Sequence, residues 1–117
     1  MVLRHKKDDI MEKAVCFADR ALLLAESVSE EEGFIGGLLS EASVSLLMSV
    51  AEAQSRDDHI KDIVERAKGA FGRCNAALGL LRARGAIGEV AYASLKADGE
   101  ALIARIPAIL GVPKSGD

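Results

Sequence analysis

Aromatic side chains are scarce in this sequence, which has no tryptophan and only 3% Phe, Tyr and Trp in total. Half of its 117 residues are nevertheless hydrophobic, so the core has to be built mainly from Leu, Ile, Val and Ala. No stretch shows the alternation of β-branched and polar residues that is typical of a half-buried strand. These absences favour closely packed helices over a sheet, and the length fits a single domain.

Cysteine is also rare, since Cys16 and Cys74 are the only two. Two cysteines are too few for a disulfide framework, and they have neither the spacing nor the histidine partners of a zinc site. Both fall on apolar faces of expected helices. We therefore expect two buried free thiols in a reducing cytosol.

The residue patterns of common catalytic and metal sites are missing. There is no Glu-x-x-His pair for a di-metal bundle, no Gly-rich phosphate loop and no Ser/His/Asp or Cys/His set. Glu41 and Glu52 are separated by about 16 Å of helix, too far to act on one bond within a chain. His59 stands among aspartates, which favours a solvated helix start over a weak cation site. The sequence therefore predicts no enzymatic activity, no metal and no cofactor.

A basic excess is missing too. The net charge of −3 and the pI of about 5.4 argue against a general nucleic-acid binder. No uninterrupted apolar run reaches the roughly 20 residues of a membrane span, because Glu41 and Glu52 interrupt the most hydrophobic segment. The charged start of the chain does not lead into the apolar region of a signal peptide. We expect a cytoplasmic protein without membrane contact.

What the sequence does contain is apolar spacing typical of four helices joined by short loops. It predicts an all-α, up-down-up-down antiparallel four-helix bundle over residues 9–110. A flexible basic arm is expected at residues 1–8 and a disordered tail at residues 111–117.

Local signals predict where these helices begin and end. The first helix is expected from about Asp9 to Ser27. Ser29 and Glu32 form a capping box that starts the second helix, which ends near Ala53. The third helix is predicted from about Asp57 to Arg84. Its predicted cap comprises Ser55 and Asp58. Its expected stop signal is a left-handed Gly85, with the fourth helix following.

The second helix contains an unusual segment, residues 34–53, which is apolar in nearly every direction. The exception is a thin polar stripe of Glu41, Ser45 and Glu52, with Met48 among them. A helix of this kind needs cover on two sides, so we expect its own bundle on one side and another subunit on the other. Glu52 is expected to pair with Arg56 or with an arginine of the neighbouring subunit. The predicted interface on this helix comprises Leu47, which lies opposite the polar stripe, Val44, Val50 and Glu52.

Small residues recur on one face of the third helix. Each glycine in a helix costs about 1 kcal/mol relative to alanine, so several on one face need compensation. Close approach of another backbone would supply it, most simply in an oligomer. Glycines tolerated on a solvated surface are the alternative. The residues of this face are Gly69, Gly72, Ala76 and Gly79.

Residues 45–53, SLLMSVAEA, resemble the Ser-Ile-Pro-Ser-Asn-Ile-Ala-Glu-Gly segment of the small four-helix-bundle proteins first noted in intervening sequences of bacterial ribosomal RNA genes. The resemblance covers about residues 12–110. Its further matches are Ala67, Gly69, Gly85, Ile87, Tyr92 and Leu95. The chain departs from the pattern at Leu47, Ser49 and Ala53, where the family has proline, asparagine and glycine. The family's paired glutamates fall at Arg73 and Asn75.

This resemblance implies a cytosolic bundle that assembles into a homopentamer and has no established enzymatic activity. A related branch, the accessory proteins of diversity-generating retroelements, binds reverse transcriptase and nucleic acid through a basic surface. The present chain is acidic, so that activity is not carried over.

The predicted function is a non-enzymatic homo-oligomeric scaffold or interaction module, whose partners are its own chain and an unknown protein. The alternative is a nucleic-acid-binding accessory protein. Its contacts would be Arg73, Arg82 and Arg84 near the end of the third helix, where few acids are nearby. A third hypothesis is a small-ligand carrier that uses a cavity or a central channel.

Overall fold

The computed structural model describes residues 2–56 and 58–110, with side chains for residues 9–56 and 58–106; within these ranges it has four α-helices and no strand. This confirms the predicted all-α four-helix bundle. A short 3₁₀ turn, Glu30–Glu32, separates the first two helices. The helices are α1 (Val2–Ser27), α2 (Gly33–Ser55), α3 (Ile60–Ala83) and α4 (Glu89–Leu110).

Each helix packs mainly on its neighbours along the chain, and α4 packs back on α1. The short connections between consecutive helices make them antiparallel, as in an up-down-up-down bundle. α1 begins at Val2, earlier than the predicted start at Asp9. The tail predicted at residues 111–117 lies outside the described residues.

The core is aliphatic except for one aromatic pair. Phe17 of α1 and Phe71 of α3 meet edge to face, with ring centroids 6.2 Å apart. Gly99 of α4 makes room for both rings, because a Cβ atom there would overlap the Phe71 ring and lie 2.9 Å from Cε1 of Phe17. Two aromatic rings can therefore fill the centre of the bundle only because α4 has no side chain at this point.

The turn between α1 and α2 differs from the predicted capping box. Ser29 makes no side-chain cap hydrogen bond, and the Glu32 amide donates to the Ser29 carbonyl at 2.9 Å, closing a 3₁₀ turn. The Glu32 side chain does not reach back to Ser29, since its carboxylate accepts a 2.6 Å hydrogen bond from Nε of Arg84. Glu32 is only 8% exposed. A long-range ion pair therefore replaces the local cap.

The predicted cap of the third helix is also wrong. α3 begins at Ile60, and its N-cap is His59 in the left-handed conformation, with φ of 58°. The Ser55 hydroxyl donates instead to the carbonyl of Glu52, and Asp58 accepts a hydrogen bond from Arg56 at 3.1 Å. Residue 57 lies outside the described residues.

The end of α3 follows the prediction. Gly85 has a φ of 73°, which only glycine adopts without strain. The amide of Ala86 then donates to the Leu81 carbonyl at 2.9 Å, the bond that closes a Schellman motif.

The two cysteines have different surroundings. Cys74 is buried, as predicted, and burial raises its pKa from 9.0 to about 11. Cys16 is exposed on α1, so the prediction of a buried thiol is wrong there. α1 packs mainly on α2 and α4, and its Cys16 side chain is left exposed to solvent.

Candidate functional site

Exposed apolar side chains concentrate on one side of the bundle. Among the described residues, eight large apolar side chains are exposed, and five of them belong to α2 or α3. Phe34 is 79% exposed and Met48 is 61% exposed, although both belong to the most apolar helix of the chain. The other three are Leu38, Val44 and Leu80. Isolated exposed apolar residues are normal, but a group of this size is typical of an interaction surface.

The outer side of α2 and α3 forms a shallow groove at the centre of this surface. A cavity of about 260 Å³ lies between the two helices. Apolar side chains make most of its walls, with Glu41 and Arg73 at its polar edge. Its apolar lining is Ile35, Leu38, Ala42, Ala76, Ala77 and Leu80. We call the side of the bundle that carries Phe34, Leu38, Met48, Gly72, Ala76 and Leu80 the α2/α3 face.

The small residues of α3 are open to solvent in the single chain. A Cβ atom placed at Gly69, Gly72 or Gly79 would meet no atom within 4 Å, so no other element of the described chain approaches them closely. Within the bundle the close approach occurs instead at Gly36, where a Cβ atom would lie 3.1 Å from the Ala25 carbonyl oxygen of α1. Each of these glycines lowers the stability of α3 relative to alanine. Close packing against another helix of the described chain does not offset this cost.

The predicted interface residues of α2 occupy three different environments. Val44 is exposed, whereas Val50 is 1% exposed and belongs to the bundle core. Leu47 is half-buried and packs against that core. It lies eleven residues after Gly36 and so on the same side of α2, the side that meets α1. Val50 thus faces its own bundle, and Leu47 lies away from the small residues of α3.

Glu52 takes part in ion pairs within the chain. Its carboxylate accepts hydrogen bonds from Arg56 at 3.1 Å and from Arg66 at 3.4 Å. Partial desolvation raises the pKa of Glu52, but the hydrogen bonds from the two arginines outweigh it and leave the pKa below its usual value. The local pairing with Arg56 predicted from the sequence is confirmed.

The three arginines of the nucleic-acid hypothesis are not brought together. Arg82 donates to Glu89 at 3.1 Å and lies over the Tyr92 ring, 4.2 Å from its centroid. Arg84 pairs with Glu32, and this hydrogen bond raises the pKa of Arg84. In the described part of the chain, only Arg73 of these three has no ion-pair partner. Two of the three arginines are therefore engaged in ion pairs within the chain, Arg82 with Glu89 and Arg84 with Glu32. These pairs were not predicted from the sequence.

No cluster of three or more His, Cys, Asp and Glu side chains among the described residues could hold a metal ion. His59 is exposed at the start of α3, with its ring nitrogens 3.5 Å from Asp58 and 3.9 Å from Asp62.

The apolar character of α2 raises the question of a membrane. The segment Glu30–Ser55 is long and apolar enough to span a bilayer by length and composition alone, and a third of its most apolar window is buried within the bundle. The core helix of a soluble bundle passes the same test.

Comparison with family models, with curated proteins and with solved structures finds no match for this chain.

Proposed function

We propose that this protein is a non-enzymatic, cytosolic scaffold that assembles with copies of itself through the α2/α3 face. The observation that carries the proposal is the group of exposed apolar side chains beside solvent-open small residues on α3. Burying such a group removes apolar area from water, which contributes about 25 cal/mol per Å².

The two parts of the face complement each other. Large side chains such as Phe34 and Met48 project from α2, while Gly72 and Ala76 leave α3 without bulk. A large side chain of one copy can therefore lie against the small residues of another, in a heterologous contact that closes into a ring. The resemblance to the intervening-sequence proteins suggests five copies for that ring.

The proposal is tested by the absolute mass in solution, measured by light scattering on a size-exclusion column at moderate salt. We expect a discrete multimer of the 12.3 kDa chain, near five copies, with no excess absorbance at 260 nm. A monomer at all concentrations would contradict self-assembly.

A matched pair of variants locates the contact. Met48→Glu places a charge in the α2/α3 face and should yield a smaller, folded species. Val90→Glu introduces the same charge on α4, where the side chain is 84% exposed, and should leave the mass unchanged. Equal masses for both variants and the wild type would exclude the α2/α3 face as the contact.

A further inference from the structure

A second cavity lies between α2 and α3 and has a different chemistry from the apolar groove. It measures about 520 Å³. Two serines of α2 form one wall, and two arginines of α3 flank the other. The lining residues are Ser45, Ser49, Arg66, Gly69, Ala70 and Arg73.

The polar groups around this cavity are hydrogen-bond donors without a competing carboxylate in the lining. Within the described part of the chain, the Arg73 guanidinium and the hydroxyls of Ser45 and Ser49 have no hydrogen-bond or ion-pair partner. Arg66 is held by Glu52, whose carboxylate also accepts from Arg56. The cavity therefore has one restrained and one free guanidinium.

The spacing of these donors along α2 and α3 places them around the same cavity. Ser45 and Ser49 are one turn apart on the same side of α2. Arg66 and Arg73 are two turns apart on α3, about 10 Å along the axis, with Gly69 between them. Because a Cβ atom at Gly69 would meet nothing within 4 Å, the space between the arginines is open.

We propose that this pocket binds a small phosphate-bearing anion. Arginine forks bind phosphate oxygens in pairs, and serine hydroxyls can donate to the oxygens that remain. Two guanidinium groups and two hydroxyls can serve more acceptor atoms than the two oxygens of a carboxylate offer, which favours phosphate. Free phosphate and a phosphate monoester share this chemistry. The proposal does not rest on self-assembly.

The test is a calorimetric titration of the wild-type protein with inorganic phosphate at constant ionic strength, with glycerol phosphate and acetate titrated in parallel. We expect saturable binding of phosphate and no saturable binding of acetate. Tighter binding of glycerol phosphate than of phosphate would identify a monoester as the ligand. The reverse order would identify the free ion.

Three variants make the test specific. Arg73→Gln should weaken phosphate binding roughly tenfold or more, as expected for the loss of a charge-assisted hydrogen bond. Arg82→Gln removes the same charge from the same helix, but its guanidinium is tied to Glu89 and Tyr92, so binding should stay within about twofold. Gly69→Leu places an apolar side chain in the open space, where its Cβ atom would meet no atom within 4 Å, and should abolish binding, while circular dichroism confirms that the bundle is folded.

Two results would overturn the proposal. One is a response to phosphate that does not saturate, or that is equal in the wild type, Arg73→Gln and Arg82→Gln. Such a response would show that phosphate only screens surface charges and does not bind in the pocket. The other is binding of a polynucleotide without binding of inorganic phosphate, which would indicate an extended nucleic-acid surface instead of a pocket.

Discussion

At the level of single residues, Gly99 is important for core packing because it has no side chain, and this leaves room for the rings of Phe17 and Phe71. Replacing it with alanine favours the helix by about 1 kcal/mol but forces a methyl group against two aromatic rings. Overpacking of this kind costs about 1–3 kcal/mol. We expect Gly99→Ala to lower the free energy of unfolding, measured by urea titration.

Gly37→Ala is the matched control for that experiment, since a Cβ atom at this exposed position of α2 would meet no atom within 4 Å. The control should stabilise the protein by up to about 1 kcal/mol. If both variants shifted stability in the same direction, the packing role of Gly99 would be refuted.

Cys74 gives a pH prediction whose sign follows from burial. Its pKa is raised from 9.0 to about 11, so the folded protein keeps the thiol protonated where the unfolded chain has lost the proton. The unfolded state binds fewer protons there, and the free energy of unfolding falls as the pH rises from about 9 to about 11. The loss is of the order of 2 kcal/mol.

The measurement is urea unfolding at several pH values, compared between the wild type and two variants. Cys74→Ala should reduce the slope of stability against pH in this window. Cys16→Ser should keep it, because Cys16 is exposed. A slope that is equal in all three proteins would assign the pH dependence to other groups.

At the level of the helices, the Glu32–Arg84 pair connects the α1–α2 turn with the end of α3. Glu32 is largely buried, so removing Arg84 leaves a carboxylate without its partner in a place that water reaches poorly. We expect Arg84→Gln to lower the urea midpoint. In a double-mutant cycle with Glu32→Gln, the coupling should exceed that of the exposed Arg82–Glu89 pair by roughly twofold or more.

If the two couplings were equal, the pair at the turn would be an ordinary surface contact. The two pairs are compared by their coupling free energies and not by the stability changes of the single variants, since each single variant also changes the solvation of the remaining group.

Helix number, helix order and the Gly85 cap could be predicted from the sequence, because each depends on residues close together in the chain. The two N-caps could not. Ser29 and Glu32 have the spacing of a capping box, but the Glu32 carboxylate accepts a hydrogen bond from Arg84, 52 positions further on. Such a long-range partner leaves no signal in a local pattern.

The exposed apolar side of α2 was predicted in part. Excess apolar residues on the second helix indicate a second apolar side, and the structure exposes Phe34 and also Met48, which the sequence pattern places on the polar stripe. Periodicity did not separate Val44, which is exposed, from Val50, which is in the core. The serine–arginine pocket was missed, since Ser45, Ser49, Arg66 and Arg73 come together only through the pairing of α2 with α3.

For the whole molecule, the proposed self-assembly through the α2/α3 face would couple stability to protein concentration. Association stabilises only the folded chain, so dilution shifts the equilibrium towards the unfolded state. We expect the thermal unfolding midpoint of the wild type to fall on hundredfold dilution, and that of Met48→Glu to stay constant. Val90→Glu should behave as the wild type, because Val90 lies on α4 and is not part of the α2/α3 face. A concentration-independent wild-type midpoint, together with a monomeric mass, would leave Phe34, Leu38 and Met48 as a surface for a different protein.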